Sequence, residues 1–111
     1  MLKLLNFAEN NTEWHSSFHF IQSADTQFGM IESYYQNISY GGWTQEIKLT
    51  EAAVNEWNSM QPKPKFVVIC GDLVNDFPGI EPRRTQQLND LKNVLQTLDD
   101  DIPLILLGII I

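Results

Sequence analysis

The chain is poor in the residues from which several kinds of site are built. It has one cysteine, Cys70, in 111 residues, which excludes an internal disulfide and a thiolate zinc cluster. Cys70 falls inside an apolar run, where a lone cysteine is expected to behave as a small buried hydrophobe. Basic residues number 7 against 14 acidic ones, a formal charge of −7. A phosphate-backbone binder carries a basic stripe, so nucleic acid is not an expected partner. Neither Gly-x-Gly-x-x-Gly nor Gly-x-x-x-x-Gly-Lys-Ser/Thr is present, which removes the usual nucleotide-binding loops. The run Met1-Leu2-Lys3-Leu4-Leu5-Asn6-Phe7 is too short for a secretory signal and lacks a small-residue cleavage site. Residues 102–111 fall far below the ~20 apolar positions needed to cross a bilayer. No membrane partner is expected, and the cytoplasm is the default location.

What the chain does hold is core material, at 43% hydrophobic and 11% aromatic residues, enough for one domain of ordinary composition. Residues 1–17 are polar and aperiodic after Leu5 and read as an N-terminal segment; residues 18–111 read as the domain. Residues 18–24 form a candidate strand that ends at Asp25. Residues 28–42 are a long loop broken by Gly41-Gly42. Residues 43–60 read as a helix, with Ile47, Thr50, Val54 and Trp57 at spacings of three and four and Pro62 and Pro64 beyond its end. Residues 66–70 are a second strand, continuously apolar, the pattern of a parallel strand buried on both faces. A Pro/Gly-containing loop over 75–82 leads to a second helix at about 85–98, striped by Leu88, Leu91, Leu95 and Leu98. Asp99-Asp100-Asp101 sits poorly at a helix C-terminus and reads as a solvated loop. Residues 104–107 are the third strand. The order β-α-β-α-β calls for a parallel sheet with right-handed crossovers.

Two carboxylates stand where such a sheet places its chemistry, just past the carboxyl ends of apolar strands: Asp25 after the first and Asp72 after the second. Parallel strands bring those ends to one edge, so the two acids can be neighbours. Close carboxylates repel unless a cation lies between them, and paired divalent ions ~3.5–4 Å apart clamp a phosphoryl group during in-line attack. Gly71 gives the backbone room to turn beside that position.

Asp25-Thr26-Gln27 and Gly71-Asp72-Leu73-Val74-Asn75-Asp76 resemble the first two motifs of the calcineurin-like metallophosphoesterases, written Asp-x-His and Gly-Asp-x-x-Asp/Asn. More narrowly, the stretch from Phe18 to Gly29, together with Gln45-Glu46-Ile47-Lys48-Leu49-Thr50, Pro62-Lys63-Pro64-Lys65-Phe66 and Arg84-Thr85-Gln86, is similar to the calcineurin-like phosphoesterase domain-containing serine/threonine phosphatase branch. That branch commonly has Gln for the first-motif His, as at Gln27. The resemblance covers roughly residues 18–107. It implies the first half of a four-layer α/β/β/α sandwich and hydrolysis of phosphomonoesters by metal-activated water. It also implies two divalent metal ions, of which Mn, Fe or Zn are the family's usual choices, and a phosphoprotein substrate. Carried over by position, Asp25 binds one metal, Asp72 bridges two and Gln27 offers an amide oxygen. Asn75 takes the variable last place of the second motif. Arg84 reads as a surface residue at a helix start, with a phosphate contact as the alternative.

The family continues after its third strand into Gly-Asn-His-Asp and later supplies further histidines. Here Gly108 is followed by Ile109-Ile110-Ile111, and the histidines, His15 and His19, precede Asp25. The expectation is therefore a truncated phosphoesterase domain, inactive by itself, with an apolar sheet face left bare and prone to self-association. The alternative is a non-catalytic form that binds partners through that face.

Overall fold

The computed structural model describes residues 17–108. Its five regular elements beyond a single π-helical turn follow the expected order: β1 (Ile21–Ala24), α1 (Thr44–Ser59), β2 (Val67–Cys70), α2 (Arg83–Leu95) and β3 (Leu104–Leu107). The three strands form one parallel sheet in the order β1-β2-β3. Register is level across it: Ile21 faces Val67 and Val67 faces Leu104, while Ala24 faces Cys70 and Cys70 faces Leu107.

The helices pack against each other and cover one face of the sheet, as two crossovers of the same hand require when successive strands are laid side by side. Val67 and Ile69 of the central strand are fully buried beneath them, with Val54, Trp57, Leu91, Val94, Leu95, Leu98 and Ile102. At α1 the expected stripe is confirmed, since Thr50, Val54 and Trp57 are buried and Ile47 packs on the core. Side-chain bonds join the helices as well. The Trp43 indole donates to Asp90 at 2.7 Å, and the Arg83 guanidinium lies over the Trp43 ring, 5.3 Å from its centroid.

Several expectations need correction. The central strand is buried on one face only: Val67 and Ile69 are buried, whereas Val68 and Cys70 are half-buried. Alternate residues of a strand point to opposite faces, and both helices lie on the same side. Cys70 is thus no core residue; it sits on the uncovered face, level with Ala24 and Leu107. The rows Gln22–Val68–Ile105 and Ala24–Cys70–Leu107 make up that face, and Phe20 stacks on Phe66 beside it at 4.8 Å.

On α2 the buried position is Gln87, fully enclosed, while Leu88 is exposed. The stripe is Gln87, Leu91, Val94, Leu95 and Leu98, one residue out of phase at its start. The helix ends at Leu95, and Thr97 and Leu98 continue it only as a turn bonded to Val94 and Leu95. The loop over 28–42 contains one π-helical turn, Ile31–Tyr35. The acidic run is not merely solvated, because Lys63 reaches Asp99 at 2.8 Å and Asp101 at 3.2 Å. Regular strand pairing begins at Ile21 rather than at position 18, although Lys65 still donates to the His19 carbonyl. Most of the N-terminal segment over 1–17, and the final three isoleucines, lie outside the described residues.

Candidate metal site at the carboxyl edge of the sheet

Beyond Ala24 and Cys70 the chain does not diverge. Asp25 N–H donates to the Gly71 carbonyl at 3.3 Å, Gln27 N–H to the Asp72 carbonyl at 3.0 Å, and Phe28 N–H to the Leu73 carbonyl at 3.4 Å; Asn75 N–H returns to the Phe28 carbonyl at 3.0 Å. The Thr26 hydroxyl adds a bond to the Leu73 carbonyl at 2.8 Å, and Phe28 pairs with Val74 in an isolated parallel bridge. The loops after β1 and β2 are therefore laced together, and the three residues that the resemblance offers as candidate ligands, Asp25, Gln27 and Asp72, come to one edge.

The backbone there is bent away from ordinary strand geometry. Asp25, Gln27 and Asp72 have φ of 60°, 38° and 46°, and Gly71 has φ of 67°. Asp tolerates the left-handed region better than most residues, and Gly71 adopts it without penalty. Residues held in such conformations tend to cluster at binding sites. Asp25 is exposed, and Gln27 and Asp72 are half-buried. Among the described residues no hydrogen bond or ion pair involves the side chain of any of the three, so their oxygens are free to bind a ligand.

This donor set is two carboxylates and one amide oxygen, hard ligands of the kind that suit Mg²⁺, Ca²⁺ or Mn²⁺. The residues fit a divalent cation in kind but fill few of its coordination positions. Among the described residues no group of three His, Cys, Asp or Glu side chains converges on one point.

The neighbouring residues are less available. Arg84 donates to the Asp76 carbonyl at 3.0 Å, which holds it to the loop rather than leaving it on the surface. Arg83 binds the Asp76 carboxylate at 3.1 Å and the Gly41 carbonyl at 2.9 Å. Asp76 is thereby neutralised as a candidate ligand.

Two polar residues that sequence reasoning passed over are buried at this edge. Glu46, in the first turn of α1, is only 4% exposed. Its Oε2 accepts from Gly29 N–H at 2.6 Å and Ile31 N–H at 3.4 Å. With Asp25, Gln27, Met30 and Tyr35 it lines a cleft of about 330 Å³ beside α1. Gln87 accepts from Asp76 N–H at 3.1 Å. A signal for both existed in the sequence: each begins the buried stripe of its helix, Glu46 four residues before Thr50 and Gln87 four before Leu91.

No protein-family model matches the chain. Individual relatives do. It is 50% identical over 104 residues to the human (Homo sapiens) Serine/threonine-protein phosphatase CPPED1, covering 91% of this chain and 33% of that protein. The mouse (Mus musculus) protein of the same name is 48% identical with the same coverage. The zebrafish (Danio rerio) protein of that name is 44% identical over 100 residues, 87% of this chain and 32% of the relative. The chain spans about a third of the length of these curated relatives.

Proposed function

We propose a function that proceeds from the family to which this chain belongs, the calcineurin-like phosphoesterases: its laced strand-end loops supply part of the divalent-cation site of a protein serine/threonine phosphatase. The observation that carries this reading is the Gln27-to-Asp72 backbone bond, which brings free carboxylate and amide oxygens from two motifs to one sheet edge.

Asp25 and Asp72 offer the anionic oxygens and Gln27 a neutral one. Gly71 lets the backbone turn so that Asp72 follows directly on the central strand. A divalent pair, when bound, supplies Lewis acidity toward a phosphoryl oxygen and activates water. The chain's own residues do less than the whole reaction needs. His19 precedes β1, six residues and roughly 20 Å of extended chain before Asp25, so it is not placed to protonate a leaving group. The proposed reaction is turnover of phosphomonoesters with a phosphoprotein as substrate; among the described residues no group is placed as its general acid, so little or no turnover is expected of the 111 residues alone.

One observation favours a second role for the chain by itself. The open sheet face, formed by Gln22, Ala24, Val68, Cys70, Ile105 and Leu107 with the Phe20–Phe66 stack, is apolar but for Gln22, and uncovered sheet surface promotes association. In isolation the chain pairs with a second copy through it. The cytoplasm is the proposed location; no helix among the described residues is long and apolar enough to cross a membrane.

Calorimetry with Mn²⁺ and hydrolysis of p-nitrophenyl phosphate test the main reading together. The expected result is weak Mn²⁺ binding that Asp72→Asn removes, without turnover. Turnover abolished by Asp72→Asn would show that these residues suffice, and absence of any Asp72-dependent binding would refute the site.

A further inference from the structure

The turn at Gly29 is gripped from two sides by buried polar side chains that the cation site does not itself use. From α1, Glu46 Oε2 accepts Gly29 N–H at 2.6 Å. From α2, the Gln87 amide abuts the same residue so closely that a Cβ on Gly29 would lie 2.5 Å from Gln87 Nε2. Gly29 has φ of 104°, a conformation that side-chain-bearing residues rarely adopt. Both conditions confine this position to glycine. The other end of Gln87, Oε1, accepts Asp76 N–H at 3.1 Å, so the one side chain touches both loops.

The two side chains are 4% and 0% exposed. Each spends one polar end on a loop N–H and leaves the other, Glu46 Oε1 and Gln87 Nε2, buried without a partner among the described residues. Unsatisfied buried polar atoms weaken a fold, and apolar residues of similar size would pack this position at less cost. What the polar ends gain is direction, because each fixes a particular backbone N–H. Those N–H groups lie next to the ligand-bearing segments. Gly29 is two residues from Gln27, whose N–H is bonded to Asp72, and Asp76 closes the loop that Asp72 opens.

We infer that Glu46 and Gln87 are positioning residues for the cation site, setting from the two helices the separation of the loops that carry Asp25, Gln27 and Asp72. The inference rests on the cation-site reading above. Partners that orient metal ligands typically cost ten- to a hundredfold in affinity when altered. In Glu46→Met the acceptor for Gly29 N–H is lost with volume nearly kept, whereas a glutamine could keep that bond by placing its amide oxygen where Oε2 stood. In Gln87→Met the bond to Asp76 is lost with volume kept.

The test is a titration of the 111-residue chain with Mn²⁺ alone, followed by the free-ion EPR signal, in the parent, Asp72→Asn, Glu46→Met and Gln87→Met. Far-UV circular dichroism establishes that each is folded at the working temperature. The expected result is loss of the site in Asp72→Asn and roughly tenfold weaker binding in each folded positioning variant. A purely structural role would lower the melting temperature and leave affinity unchanged below it. Folded Glu46→Met and Gln87→Met with parental affinity would overturn the inference while the loss in Asp72→Asn still upheld the site. Parental affinity in Asp72→Asn would instead overturn the site reading. Failure of both positioning variants to fold would assign the pair to stability and end the positioning role.

Discussion

The Gln27 backbone N–H donates to the Asp72 carbonyl at 3.0 Å, and this bond joins two motifs that lie 45 residues apart in the chain. It forms because β1 and β2 are adjacent parallel strands in level register, so the segments leaving them run on side by side. Three of the five non-glycine residues with positive φ among those described, Asp25, Gln27 and Asp72, lie at this junction. Backbone strain is therefore concentrated where the candidate ligands are.

Phe28 is the apolar pin of the junction. It is fully buried and bridges to Val74, so Phe28→Ala should cost about 3–5 kcal/mol and loosen both loops. Urea denaturation measures this. A loss below about 0.5 kcal/mol, the scale of an ordinary surface change, would show that the junction does not depend on it.

Gly29→Ala meets both strain and a clash. At φ of 104° an alanine should cost roughly 1–3 kcal/mol, and the added methyl must also displace the buried Gln87 amide. The double change Gly29→Ala with Gln87→Ala should recover part of the loss. Equal melting temperatures for the single and double variants would place the cost in the backbone alone.

Lys63 gives a pH dependence of known sign. Its hydrogen bonds to Asp99, then to Asp101, hold its pKa above the ordinary 10.5. A raised folded pKa contributes stability that is fully present below about pH 10.5 and is lost as pH rises through the folded value. The group is exposed, so the effect is small. Lys63→Met should melt slightly below the parent at pH 8, and the difference should close on going to more alkaline solution. A gap that widens with pH would contradict this assignment.

The open sheet face predicts association of the isolated chain. Val68 stands at the centre of that face, between Gln22 and Ile105, and Val68→Lys should shift the sedimentation profile toward monomer while leaving the buried face intact. A parent chain that is monomeric at all concentrations would remove the basis for this prediction.

Much of the fold was legible because burial repeats at fixed intervals. Val67-Val68-Ile69-Cys70 and Leu104-Ile105-Leu106-Leu107 announce strands, and Thr50, Val54 and Trp57 announce a helix face. The positions of the motif acids were legible too, since Asp25 follows β1 and Asp72 stands two residues past the end of β2. The uncovered face was misread at Val68 and Cys70, because a continuous apolar run does not reveal which side another layer covers. Glu46 and Gln87 escaped for a different reason. Their burial answers to Gly29 N–H and Asp76 N–H, partners 17 and 11 residues away, and residue type alone argued for solvent. Leu88 was assigned to the core stripe on its spacing from Leu91, Leu95 and Leu98, but the position facing inward belongs to Gln87.

The most direct test of the cation site is the ¹⁵N–¹H correlation spectrum of the chain recorded with substoichiometric Mn²⁺, whose paramagnetism broadens nearby amides. The account predicts that Asp25, Gln27, Gly71 and Asp72 broaden first, and that Asp72→Asn abolishes the effect. Broadening centred instead on Asp99, Asp100 and Asp101, with the strand-end amides unchanged, would contradict it.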